Sequence, residues 1–340
     1  MIDFRYHLVS LIAVFLALAV GIVLGAGPLR DTIGETLTGQ VEDLRADREQ
    51  LRADLAAAEA DIEERTTYLR QSSGVLLADV LTDHSVAVVT LPETSQEDVE
   101  GVRESLSEAG AQVVGEAGVT EAWTDPDTRS FRQTFAGQLA GYLEHAPAPD
   151  ATDERIFALA LGAALTGANA DGTVSEDAQT LLDLLTSADA PLVTLEGEIT
   201  RAAEAVVLVG PRPADAPEAD QPTADAEQAE QELAAYADLA GGLTGAAPGA
   251  VTVGAAVSDH DLVAAVRSGD DADAVTTVDS VGEVTAQLSV PLAVAVALSG
   301  GADAFGFQAG AREPIPPRVD LPAPSDTGTG GTDDEEPADG

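Results

Sequence analysis

The sequence predicts an α/β protein tethered by a membrane helix. An N-terminal transmembrane helix and a coiled coil are followed by a Rossmann-like, mostly parallel α/β domain. Three observations predict this. An uncharged apolar run opens the chain, a seven-residue apolar repeat follows it, and from Gly74 short β-branched runs alternate with helical stretches.

Leu8 to Ala26 is nineteen residues long without a charge, and Ser10 is its only polar side chain. As a helix rising about 1.5 Å per residue it covers about 28 Å, close to the hydrocarbon thickness of a bilayer. A cleaved signal peptide is the alternative. Against it, the run exceeds a usual h-region and the preceding residues set Arg5 beside Asp3. Cleavage after Gly27 would put Pro28 first, and cleavage after Ala26 would put bulky Leu24 three residues before the cut. An uncleaved signal anchor is expected, with residues 1–7 cytoplasmic, 8–26 in the membrane and the body extracytoplasmic. The orientation follows mainly from the habit of N-terminal anchors to export what comes after them; Arg5 against Arg30 adds a small charge bias. Gly21 and Gly25 form a GxxxG, a candidate helix-pairing face.

Residues 30–70 read as a stalk. With Leu37, Leu44, Leu51 and Ala58 at heptad position d, Val41, Leu55, Ile62 and Leu69 fall at a, while Arg48 and Arg65 interrupt the stripe. Leu at d favours a parallel two-stranded coiled coil. The expected partner is therefore a second copy, joined through Leu37, Val41, Leu44, Leu51, Leu55, Ile62 and Leu69, with Gly21 and Gly25 below. The competing reading is a lone helix whose stripe packs on the body.

Residues 74–314 form the α/β domain. Expected strands are Ser85–Leu91, Ala111–Gly115, Leu192–Leu195, Ala205–Gly210, Val251–Ala255 and Leu292–Leu298. Helical patterns cover Gln96–Ala109, Thr128–Glu144, Val174–Ser187, Ala224–Leu239 and Asp259–Ser268. Uninterrupted apolar strands between helices indicate a parallel sheet covered on both faces. Pro211 to Gln231 reads as a surface loop entering a helix. Residues 315–340, rich in Pro, Gly and acid, bury too little apolar surface to offset ordering entropy and are expected to be a disordered acidic tail.

The charge is extreme: 60 Asp and Glu against 16 bases, all Arg, give a formal net charge of -44. Such a chain repels phosphate backbones, so nucleic-acid binding is excluded. With no Cys, and Met1 the only Met, there is no thiolate and no thioether in the body of the chain. The histidines are His7, His84, His145 and His260. Asp259, His260 and Asp261 are the most metal-like cluster, but neighbours at a helix start point apart, and Asp259 reads as an N-cap. No nucleophile elbow, P-loop or GxGxxG follows a first strand; Gly115–Gly118 lacks the spacing, and Gly300–Gly306 reads as a backbone turn. No catalytic residue and no resident cofactor is expected. An enzyme hidden here would use the crevice at the carboxyl ends of the strands.

The opening MIDFRYHLVSLIAVFLALAVGIVLGAGPL, the heptads behind it and VTTVDSVGEVTAQLSVPLAVAVALSGGADAFG near the end together resemble the actinobacterial MctB family. Its members are known as copper transporters or mycobacterial channel proteins, and a corynebacterial relative, SteB, is associated with cell separation. The likeness runs from Met1 to about Gly310, and the N-terminal block and Thr277–Ser280 are its most specific parts. It implies a membrane-anchored envelope protein of copper efflux or tolerance, with copper as the transported ion, acting as an oligomer or with partners. The alternative it implies is a non-catalytic dimeric scaffold that engages an envelope protein and regulates cell separation or peptidoglycan hydrolases. Family members often carry a His near the Gly-rich end; here the stretch reads AFGFQAG, and no metal-ligating motif maps onto this chain.

Overall fold

A computed structural model describes residues 4–26, 29–186, 190–213 and 224–322. The chain divides into two compact units, with the boundary between Tyr68 and Leu69.

In the first unit, helix α1 (Phe4–Ala26) contains Phe4–Val23, the one helix among the described residues long and apolar enough to cross a membrane, and none of it is buried. Helix α2 (Leu29–Leu76) is rich in Ala, Leu, Arg and Glu, strong helix formers, and carries pairs one turn apart such as Asp61–Arg65 at 2.7 Å. Its apolar stripe stays open, from 43% exposure at Val41 to 69% at Leu51, with Leu44, Leu55 and Ile62 between. A coiled coil is not seen in this single chain, and the side chain of Leu37 lies outside the described ones.

In the second unit the elements run β1 (Ser85–Thr90), α3 (Gln96–Glu108), β2 (Gln112–Val119), α4 (Arg129–Leu139), α5 (Asp153–Thr166), α6 (Glu176–Thr186), β3 (Val193–Leu195), β4 (Ala205–Val209), α7 (Ala224–Ala246), β5 (Val251–Val253), α8 (Leu262–Ser268), β6 (Thr276–Val278), α9 (Val284–Leu298) and β7 (Ala304–Phe305). They build a seven-stranded sheet in the order β3-β2-β1-β4-β5-β6-β7. Every neighbouring pair is parallel except β2 with β3, an antiparallel edge. The Rossmann-like, mostly parallel reading therefore holds. Strand side chains alternate between two cores. Val86, Val88, Val207 and Val209 pack with α3 and α9, and Ala87, Val89, Val206 and Leu208 pack with α4 to α8. Both faces are covered, which is why the strands read as unbroken apolar runs.

Several expectations need correction. The expected strand at Leu292–Leu298 is the second half of α9, whose residues from Leu288 to Ala297 are all buried. A helix buried on every side has no polar face, so its sequence carries no period to separate it from a strand. Helix α5 and strands β6 and β7 were not expected. Thr152 caps α5, accepting from the Arg155 N–H at 3.0 Å, and Gly242 of α7 lies so close to Ala158 of α5 that a methyl group there would collide with it. The last turns of α2 join the second unit, where Leu69 packs against the α3–α9 core. Residues 315–322 are also placed: Val319 and Leu321 lie on that core, and Arg318 donates to the carbonyls of Leu76 and Ala78. The rest of the acidic tail, 323–340, and residues 214–223 of the Pro-rich loop lie outside the described residues.

Candidate functional site

The chain leaves β1 for α3 on one face of the sheet and leaves β4 for α7 on the other, so the two connections diverge at adjacent strands. A crevice at the carboxyl ends is the geometric consequence, and it is where doubly wound sheets bind ligands. Asp98, in the first turn of α3, is buried and takes the Arg212 guanidinium fork with both oxygens, Nε at 2.8 Å and Nη2 at 2.7 Å. That hydrogen-bonded carboxylate raises the Arg212 pKa further, so the cation is permanent. The pair ties α3 to the segment after β4 and closes one side of the crevice.

Beside it lies a cavity of about 630 Å³ whose walls include Glu93, Glu121, Asp125, Glu232 and Tyr236. The Tyr236 hydroxyl donates to Glu232 at 2.9 Å, and burial, then the charge of Glu232, pushes its pKa well above the usual phenol value. Tyr236 is therefore a fixed donor at any physiological pH. Glu93 holds a left-handed backbone at φ 62° in the loop after β1. A second cavity of about 880 Å³ runs between α5, α7 and α8, where Arg155 pairs with Asp271. His260 sits on the rim of both. Together these walls offer carboxylates, the paired Arg155 and Arg212, and a phenol donor.

The sequence-predicted metal candidates do not converge. Asp259 and His260 are exposed, whereas Asp261 is buried and accepts from the Ser258 N–H at 2.7 Å. The N-cap of α8 is Asp261 rather than Asp259, because the helix starts three residues later than its pattern suggests. Among the described residues no group of three or more His, Asp or Glu could hold a metal ion. His84 is instead a structural residue at the opposite end of the sheet, with Nδ1 2.8 Å from Glu204.

The conspicuous C-terminal motifs form a buried knot that local patterns did not reveal. Asp279, in the TVDS stretch, receives hydrogen bonds from Arg267 at 2.9 Å, the Ser280 hydroxyl at 2.8 Å, and the backbone N–H groups of Phe307 at 2.9 Å and Gln308 at 3.0 Å. Arg267 also donates to Thr277 and to the carbonyls of Phe305 and Ala309. Gly306, at φ 131°, lies against the Asp279 carboxylate where no side chain fits. The glycine-rich stretch is thus a packing device, and Phe307 is left exposed on its far side.

The residues expected at an interface fall into two groups. Val41, Leu44, Leu51, Leu55 and Ile62 are open to solvent, and Gly21 and Gly25 have free space around them. Leu69 is instead engaged by the core of its own second unit.

An apolar N-terminal helix of spanning length, joined to a doubly wound α/β domain without a metal-ligating cluster among its described residues, defines a membrane-associated α/β protein. The chain belongs to the MctB family: the family described as "Copper transport outer membrane protein, MctB" matches residues 1–316. A copper transporter MctB of Mycobacterium leprae is 34% identical over 128 residues, which is 38% of this chain and 40% of that protein. Those of Mycobacterium bovis and Mycobacterium tuberculosis are 30% identical over 128 residues, 38% of this chain and 41% of each relative. The match thus spans about two fifths of the relatives' length.

Proposed function

We propose that this protein is a non-catalytic, membrane-anchored component of copper efflux, with its N-terminus cytoplasmic and its α/β domain outside. Copper crosses the membrane through an assembly of several chains or with a partner, and not through one chain alone. The observation that carries this reading is that, among its described residues, this copper-transport family member has one helix of spanning length. One helix cannot enclose a pore, because a pore wall needs several helices or a closed barrel. Cytoplasmic copper is largely Cu(I), which prefers thiolate and thioether ligands, and this chain has no Cys and only Met1. A β-barrel would need closed strands of about ten residues alternating apolar and polar. The described strands are two to eight residues long and belong to an open sheet.

Two measurements test the reading. Cells lacking the protein should accumulate copper and regain tolerance when it is restored; unchanged copper content on deletion would reject the efflux role. Liposomes containing the purified protein held as a monomer should pass no copper, and flux through them would reject the need for an assembly.

A further inference from the structure

We infer that Val41–Ile62 of α2 pairs with the same segment of a second copy, parallel and in register. This deepens the proposed function by naming the partner, and its test does not depend on copper.

Three observations carry it. Five apolar side chains at a and d positions stand open on one face of a helix, and such a stripe is stable in water when a second stripe covers it. The charges beside the stripe choose the occupant. Positions g hold Asp47, Asp54 and Asp61, and positions e hold Arg45, Arg52 and Glu59. In a parallel pair g faces the next e of the other helix, so Asp47 meets Arg52 of the second copy, and Arg48 packs beside its Asp47. An antiparallel pair sets g against g and brings Asp47 against Asp54. The parallel pair does carry one repulsive contact, Asp54 against Glu59. Finally, two copies anchored through Phe4–Val23 in one bilayer with the same orientation enter α2 side by side and in the same direction.

The structure also sets the upper limit of the pairing. Arg65, at the next d, is tied to its own Asp61 at 2.7 Å, and Leu69, at the next a, is packed in the α3–α9 core. The paired segment therefore ends near Ile62.

The absence of cysteine allows a clean test in the full chain in its own membranes. Single substitutions Leu44→Cys and Leu51→Cys place a thiol at d, and Glu49→Cys places one on the outer face. A disulfide needs Cα atoms within about 7 Å, which facing d residues of a parallel, in-register pair meet and outer-face residues do not. Under mild oxidation Leu44→Cys and Leu51→Cys should each shift from the 34.6 kDa band to one of twice that mass, and Glu49→Cys should stay. Cross-linking of neither d variant, or equal cross-linking at Glu49, would overturn the inference. So would cross-linking at only one d position, since an antiparallel pair can place a residue opposite itself only at its centre. The unsubstituted chain, weighed by native mass spectrometry from detergent, should be a dimer and become a monomer with Leu44→Asp and Leu51→Asp; a monomeric unsubstituted chain would also overturn it.

Discussion

Helices α2 and α9 carry apolar side chains to opposite ends. In α9 every residue from Leu288 to Ala297 is enclosed between the sheet and its neighbours, so the helix belongs wholly to the second unit. In α2 the apolar residues form a narrow stripe edged by charge, and Leu44 and Leu51 remain about two-thirds exposed. The difference teaches where each helix gets its stability. Burial within the second unit holds α9, whereas α2 from Val41 to Ile62 is held by helix propensity and local ion pairs, with its apolar stripe exposed.

That contrast can be broken most sharply in α9. Val294→Asp puts a carboxylate into a fully buried site and should cost more than about 4 kcal/mol, enough to unfold the second unit in a thermal melt followed by circular dichroism. Asp279→Ala should come next. It strands the Arg267 guanidinium, whose side chain is 5% exposed, and leaves two backbone N–H groups without their acceptor; a loss of about 3–5 kcal/mol is expected in urea unfolding. Gly242→Val pushes α7 away from Ala158 of α5 and should lose about 1–3 kcal/mol by the same measurement. The smallest effect sharpens the comparison from the other side. Leu51→Asp on the open stripe should change the stability of the second unit by no more than about 0.5 kcal/mol. A large loss there would mean that the stripe serves the chain's own core after all.

The same contrast explains how much of the fold is legible in the sequence. Strands β1, β4 and β5 are legible because short Val-rich runs bounded by turns have few other readings. Alternation of charge and apolar residues makes α2 legible. In α9 the period is erased by complete burial, and β6 and β7, three and two residues long, are shorter than any pattern. The location of the crevice follows from fold class, but its residues do not. Asp98 and Arg212 are 114 positions apart, and Tyr236 meets Glu232 inside a helix that looks merely acidic. The TVDS stretch stood out as a motif, yet its use depends on Arg267 and on a glycine turn in β7's wake, which only the fold brings together.

In the proposed efflux assembly the open face of α2 holds together the chains through which copper leaves. Intracellular copper, measured in cells that express Leu44→Asp with Leu51→Asp at the same membrane level as the unaltered chain, tests it most directly. Copper accumulation equal to that of cells lacking the protein is expected. Copper content restored to that of the unaltered chain would contradict it.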